Sequence, residues 1–121
     1  MIRASVLYPQ KEGGKFDHAY YKNKHMPLVQ KRLGNLGLVR LEIDRGLAGG
    51  APGAPAPFAC IGHLYFNSVA DLQKAMEKHG AELMGDVPNF TNLTPQMQIS
   101  EIVGWARRNL ASAHCERRLV E

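Results

Sequence analysis

The sequence has no apolar run near the roughly 20 residues that a membrane-spanning helix needs. Its first residues, Met1, Ile2 and Arg3, do not resemble a signal peptide, and cysteine is scarce. We therefore expect no membrane association, a cytoplasmic location and reduced thiols at Cys60 and Cys115. A cysteine within an apolar strand is usually a small core residue, which is our prediction for Cys60.

Charge of one sign is not concentrated anywhere in the chain. The formal net charge of the 121 residues is +4. The lysines and arginines are scattered, without a basic run interleaved with aromatic residues, which is typical of a solvated surface. We expect no nucleic-acid partner. A chain that is 45% hydrophobic and 21% charged is typical of a single globular domain.

Motifs for cofactors and metals are missing. The sequence has no CxxC, no phosphate-binding loop and no GxGxxG. The histidines include no close chelating pair, since His18 and His25 are about 10 Å apart along a helix. We therefore expect no metal and no cofactor. Haem binding is an alternative that rests on the histidines alone.

The apolar pattern predicts the order β-α-β, then β-α-β. Alternation over residues 2–8, 39–43 and 96–103 predicts strands, as does the run 58–66, which is apolar on both faces. Helical stripes follow Asp17 and Ser68, and Gly80 is the predicted end of the second helix. The Gly/Ala/Pro-rich residues 46–57 predict a loop. Residues 81–94 predict a short helix or a loop.

This order predicts an α+β fold, a ferredoxin-like βαββαβ sandwich. A four-stranded antiparallel sheet would carry two helices on one face. The other face must meet water or a partner, and the third strand is apolar on both sides, so we expect a homodimer through sheet faces. We predict one domain over residues 1–103. The tail, residues 104–121, is predicted to be an amphipathic helix or a frayed end.

The stretch FDHAYYKNKHMPLV, residues 16–29, holds the first candidate site. Tyr21 and His25 fall on the apolar face of the predicted helix and should be partly buried. Pro27 lacks an N–H, so the helix must kink there, or stop near His25 and restart with Pro27 in its first turn. His25 is a candidate for proton transfer, with a core histidine bonded to a backbone carbonyl as the alternative.

His63 is the second candidate, and its strand face decides its role. It shares that face with Ile61 and Tyr65. If the face points at the helices, His63 can approach Tyr21 and His25 and join them in moving protons. If the face points away, His63 is a packing residue.

The stretch GDVPNFTN, residues 85–92, is the third candidate. Asp86, Asn89, Thr91 and Asn92 offer polar groups around the apolar Phe90. Such a segment either closes over a ligand or forms a turn held by its own side chains.

Three stretches resemble the EthD family, named for ethyl tert-butyl ether degradation: FDHAYYKNKHMPL at 16–28, GDVPNFTN at 85–92 and PQMQISE at 95–101. The resemblance covers residues 1–103. It implies a ferredoxin-like fold that pairs through its sheets into a dimeric α+β barrel. The matching site positions are Tyr20, Tyr21, His25, Pro27, Asp86, Asn89 and Phe90.

The resemblance also implies a function. Related proteins act on small, apolar, oxygenated molecules such as lactones, phenols, quinones or polyketide fragments, and many are labelled oxidoreductases or reductases. Without a cofactor motif we expect proton transfer in a pocket between helices and sheet. The predicted catalytic residues are His25, Tyr21 and His63, and the predicted substrate-binding residues are Tyr20, Asp86, Asn89 and Phe90. The alternative is a non-catalytic ligand-binding or accessory protein of a degradation or biosynthesis pathway.

Overall fold

The computed structural model describes residues 1–109 and 114–119, with side chains through residue 106. Its main sheet has four strands in the order β2-β3-β1-β4, and every neighbouring pair is antiparallel. The strands are β1 Ile2–Pro9, β2 Leu38–Arg45, β3 Phe58–Phe66 and β4 Gln96–Glu101. This arrangement confirms the predicted ferredoxin-like α+β fold.

Two helical segments cover one face of the sheet. The first, residues 18–33, consists of α1 His18–Tyr20, a π-helical turn Tyr21–His25 and α2 Met26–Leu33. The second is α3 Val69–Gly85, which begins at an N-cap bond from Asp71 N–H to the Ser68 hydroxyl at 3.2 Å. The prediction that this helix ends at Gly80 is wrong. Gly80 is buried inside α3, and Leu83 continues its apolar face for another turn.

The core lies between the helices and the inward faces of β1 and β3. Ile2, Ala4 and Tyr8 of β1 pack there with Leu64 and Phe66 of β3. The period-two alternation of the β1 residues is the sequence pattern that predicted this strand.

Cys60 is fully buried in this core, as predicted. Burial raises the pKa of its thiol to about 12. The thiol therefore stays protonated and is a poor nucleophile.

The opposite face, called here the open face, is more polar than predicted. The strand registers place Ser5 and His63 there, flanked by Glu42 of β2 and Gln98 of β4. The apolar side chains on this face include Leu7 of β1, which pairs with Ile61 of β3. The outer strands alternate, and their polar residues point to this side. The expectation of a broadly apolar face is therefore wrong.

The tail forms a hairpin rather than a helix or a frayed end. Strands β5 Gly104–Asn109 and β6 His114–Leu119 pair antiparallel in a separate two-stranded sheet. Cross-strand pairing has overridden the local helix-forming composition of this segment. Cys115 belongs to β6, but the position of its thiol lies outside the described side chains. In the described part of the chain, no helix has the length and hydrophobicity to cross a membrane.

Candidate active site

The backbone opens where the histidine is placed. The N–H of Met26 donates to the carbonyl of Tyr21, five residues earlier, and α2 then starts with Pro27 in its first turn. This is the second of the two arrangements predicted for Pro27. A π-helical turn of this kind is a common feature of functional sites. It places Tyr21 and His25 toward the sheet, only 1% and 6% exposed.

Asp86 is the hub of the polar contacts. Its Oδ2 lies 2.9 Å from His25 Nδ1, and its Oδ1 accepts hydrogen bonds from the Tyr20 hydroxyl and the Asn89 amide, both at 2.8 Å. Asp86 follows the end of α3, and the 3₁₀ turn Val87–Asn89 brings Asn89 back to it. The predicted residues Tyr20, His25, Asp86 and Asn89 thus form one network.

The network fixes the charge of Asp86. Burial alone would raise the pKa of its carboxyl group, but the hydrogen bonds from Asn89, His25 and Tyr20 together outweigh burial and lower it. The same bond to Asp86 raises the pKa of the Tyr20 phenol, which therefore remains a donor. Asp86 is ionised at neutral pH and can only accept hydrogen bonds.

An ionised Asp86 sets the tautomer of His25. Because Asp86 only accepts, the His25 Nδ1 must carry a proton and donate it. In the neutral imidazole the lone pair then lies on Nε2, at the opposite edge of the ring. Among the residues that the structure describes, none forms a hydrogen bond with Nε2. This is the arrangement of a general base held in position by a carboxylate.

Two aromatic rings, Tyr21 and Phe90, pack against the imidazole and against each other. The Tyr21 ring stacks on His25 with a centroid separation of 5.3 Å and an interplanar angle of 18°. Phe90 lies 4.8 Å from the imidazole and also contacts the rings of Tyr20 and Tyr21. Phe90 is 3% exposed, so it restricts the imidazole from within the core.

A small apolar cavity lies beside His25, between the helices and the sheet. Its volume is about 40 Å³, room for a few water molecules. His25, Tyr8 and Tyr21 supply the polar groups of its wall. The chain has five methionines, and four of them line the cavity: Met26, Met76, Met84 and Met97.

Two of these methionines mark the entrance. Met84 and Met97 are 45% and 46% exposed although they line the cavity. Unbranched methionine side chains repack easily. A ligand larger than a few waters can therefore enter by displacing them.

His63 does not join this site. It lies on the open face, where its Nδ1 is 3.0 Å from the Ser5 hydroxyl and its Nε2 is 2.8 Å from Asp44 Oδ2. Its neighbour Tyr65, on the same face, donates to Glu42 at 2.6 Å. The prediction that groups His63 with Tyr21 and His25 is corrected, because strand parity directs His63 away from the helices.

Thr91 and Asn92 hold the backbone instead of facing the cavity. The Thr91 hydroxyl donates to the Lys15 carbonyl at 2.6 Å. The Asn92 side chain accepts from the Lys15 N–H at 2.8 Å and donates to the Gly13 carbonyl at 3.1 Å. Of the two interpretations of residues 85–92, the turn held by its own side chains describes this half of the segment.

The predicted substrate-binding residues stand behind His25 rather than in the cavity wall. Among the described residues, the cavity lining includes Tyr21 and His25 but not Tyr20, Asp86 or Asn89. Sequence reasoning missed Tyr8 and the methionines as wall residues. Tyr8 is the last inward-facing residue of the alternating pattern in β1, and this pattern was the sequence signal that could have identified it as a wall residue.

The described part of the chain contains no candidate metal site. In residues 1–109 and 114–119, no three side chains of His, Cys, Asp or Glu are grouped closely enough to hold a metal ion.

The fold and the site together define the class of this protein. It is a ferredoxin-like α+β domain in which a carboxylate-bound histidine borders an apolar cavity. The chain belongs to the EthD family: the EthD domain model matches residues 14–94. The match includes the helical segment 18–33 and Asp86.

Solved structures agree with this assignment. An EthD-like protein from Ralstonia eutropha JMP134 is 44% identical, with 84% of this chain and 91% of that chain covered and a TM-score of 0.79. An ethyl tert-butyl ether degradation (EthD) family protein from Bacillus halodurans C-125 is 26% identical over 84% and 97%, with a TM-score of 0.65.

A more distant structure shares the fold alone. HapK from Hahella chejuensis is 16% identical, covers 87% of this chain and 96% of its own, and has a TM-score of 0.53. No curated protein matches the chain.

Proposed function

We propose that this protein is an enzyme that moves a proton on a small, apolar, oxygenated molecule bound beside His25. One observation carries the proposal. Asp86 binds Nδ1 of a buried His25 and leaves Nε2 without a protein partner among the described residues, at the wall of an apolar cavity. A buried imidazole in this arrangement is suited to general acid–base catalysis.

The cavity supports a particular class of substrate. Its wall is apolar apart from one imidazole and two phenols. Such a wall favours a ligand whose surface is largely hydrocarbon with one or two oxygens, such as a lactone, a phenol, a quinone or a polyketide fragment. A carboxylate or phosphate would be desolvated there without a cationic partner.

The residues divide into two roles. His25 takes the proton, and Tyr21 stacks on its ring and contributes to the wall. Asp86 positions His25, and hydrogen bonds from Tyr20 and Asn89 keep Asp86 charged. Reductase or oxidoreductase chemistry is implied by the family resemblance alone, and the proposal rests on the proton transfer that these groups can perform.

The first experiment is a thermal-shift screen against small lactones, phenols, quinones and cyclic ketones. A ligand at about 100 times its dissociation constant should add roughly 2.7 kcal/mol of stability. His25→Gln should abolish or greatly reduce the shift, since glutamine cannot supply the same imidazole lone pair. Tyr65→Phe, on the open face, is the matched control and should retain the shift.

Turnover decides between this proposal and the non-catalytic alternative. A binding or accessory protein would show the same thermal shift, and His25→Gln would change affinity only. An enzyme would convert the stabilising ligand, and His25→Gln would abolish conversion. If no compound of these classes shifts the wild type, the proposed cavity function is wrong.

We also propose that two copies pair through their open faces. The centre of that face is apolar at Leu7 and Ile61. Both side chains are partly exposed in the single chain, and pairing with a second copy would remove them from water.

A further inference from the structure

A second polar group lines the same cavity as His25, and the proposed mechanism has not used it. Tyr8 and Tyr21 both line the cavity, each 1% exposed, and their rings meet edge to face at 5.7 Å. The Tyr21 and Tyr8 hydroxyls are hydrogen-bond partners. Each hydroxyl can donate or accept, and with Tyr21 as the donor the Tyr8 proton is available to a ligand.

The backbone of β3 makes room for this pair. A Cβ built on Gly62 would collide with the Tyr21 hydroxyl oxygen and approach Met26 Cε to 3.0 Å. Only glycine lets that hydroxyl lie against the strand. Tyr21 is thereby fixed from two sides, by Gly62 at its hydroxyl and by His25 along its ring.

We propose that Tyr8 is a catalytic residue that holds the carbonyl oxygen of the substrate and donates to that oxygen when His25 removes a neighbouring proton. This inference rests on the proposed function, whose substrate it narrows to carbonyl compounds with an acidic C–H beside the carbonyl.

The step balances without a further reactant. His25 Nε2 forms a bond to the proton, and the C–H electron pair becomes a C=C bond. The carbonyl π pair moves to oxygen, which accepts the hydrogen bond from Tyr8. Return of the proton from His25 to a different carbon completes an isomerisation. A donor aimed at the developing oxyanion is among the largest single contributions to such a reaction.

The tyrosines are suited to donate. Burial is the largest effect and raises the pKa of both phenols, and Cys60 raises both further. The hydrogen bond between them raises the pKa of Tyr21 and lowers that of Tyr8 without offsetting burial, so both stay protonated at neutral pH. When Tyr21 donates to Tyr8, the Tyr8 hydroxyl becomes a stronger donor to a ligand. Within the described residues, no group is found that accepts the Tyr8 proton.

The test uses phenols as stable mimics of the enol and, for the readily ionised 4-nitrophenol, of the enolate. Binding of 4-nitrophenol to the full-length protein is followed by its absorbance, and phenol and 4-chlorophenol are measured by calorimetry. Tyr8→Phe keeps the ring and should weaken 4-nitrophenol binding by about 10-fold or more, since it removes a hydrogen bond to a charged oxygen. Tyr65→Phe makes the same change on the open face and should stay within about 2-fold.

A second variant distinguishes loss of the Tyr8 proton from a general disturbance of the fold. Tyr21→Phe removes the donor to Tyr8 but keeps the Tyr8 proton, so it should weaken binding less than Tyr8→Phe. Equal affinities of wild type and folded Tyr8→Phe, or a larger loss in Tyr21→Phe, would overturn the role of Tyr8 and leave that of His25 intact. Failure of the wild type to bind any of the three phenols would overturn both.

Discussion

The contact between His25 and Asp86 decides what this site can do. Its two partners are 61 positions apart in the chain and 2.9 Å apart in the fold. A histidine bonded to a backbone carbonyl would be a core residue with no charge beside it. The carboxylate instead fixes the tautomer and stabilises the imidazolium that forms when His25 takes a proton.

Asp86→Asn should therefore affect stability in a pH-dependent way. The folded-state pKa of Asp86 is lowered, so its contribution to stability is present above the ordinary carboxyl range and lost as the pH falls through the folded pKa. At pH 7 the variant should be less stable than the wild type by about 1–3 kcal/mol. Urea unfolding at pH 7, 5 and 3 measures this difference.

The difference between the two proteins should shrink below about pH 4, where the carboxyl of the unfolded chain takes up its proton, and should be lost once the pH falls below the lowered folded pKa of Asp86. A difference in the free energy of unfolding that is as large at pH 3 as at pH 7 would show that Asp86 acts through packing instead.

At the residue scale, the sequence predicted which side chains matter better than how they meet. Tyr21 and His25 were placed on one buried face from helical spacing. The bond to Asp86 could not be predicted, because nothing local specifies a contact between the end of α3 and the first helical segment. His63 fell on the wrong side because period-two alternation separates the faces of a strand but does not say which one the helices cover.

The π-helical turn is the element that aims His25. A continuous α-helix would need the N–H of residue 27 to donate to the carbonyl of Asn23, and proline has no N–H. The bond from Met26 to Tyr21 replaces it with one extra residue in the turn. The proline in the middle of the helix thus accounts for the position of His25.

Pro27→Ala should close this turn into a regular α-helix. His25 should rotate away from Asp86, so the slowly exchanging Nδ1–H signal of His25 in NMR spectra and the ligand-induced thermal shift should both be lost. The backbone hydrogen bond gained at residue 27 offsets much of the lost bond to Asp86, so the free energy of unfolding should stay within about 1 kcal/mol of the wild type.

Pro52→Ala, in the exposed loop 46–57, is the matched control and should leave the His25 signal and the ligand shift unchanged. If Pro27→Ala also leaves both unchanged, the proline does not position His25.

At the element scale, the strands and the loop at 46–57 followed from local pattern, and the errors came from long-range packing. The second helix passes Gly80 because burial of Leu83 outweighs the low helix propensity of one glycine. The tail pairs with itself as β5 and β6, although its composition favoured a helix.

The whole molecule is predicted to be a homodimer joined at the open face. Light scattering coupled to size exclusion should give twice the 13.4 kDa chain mass. Ile61→Arg places a charge at the centre of the face and should yield a monomer whose circular dichroism is unchanged. Val69→Arg, on an exposed position of α3, should remain dimeric. A wild-type monomer at high concentration would contradict the prediction.

The fold as a whole was predictable because six short elements alternate in a regular order, and few architectures satisfy that order. The polarity of the open face was not, since it depends on the registers of β2 and β4 against the central strands. The cavity was also unpredictable, because four methionines from three separate elements meet there.

The central claim is that His25 takes a proton from carbon. The most direct measurement is deuterium incorporation, followed by NMR in D₂O, into 2-cyclohexenone and a small unsaturated lactone. Wild-type protein should accelerate incorporation next to the carbonyl, and His25→Gln should reduce the rate by at least ~100-fold, as expected for loss of a general base. Equal rates with wild type and folded His25→Gln would contradict the account.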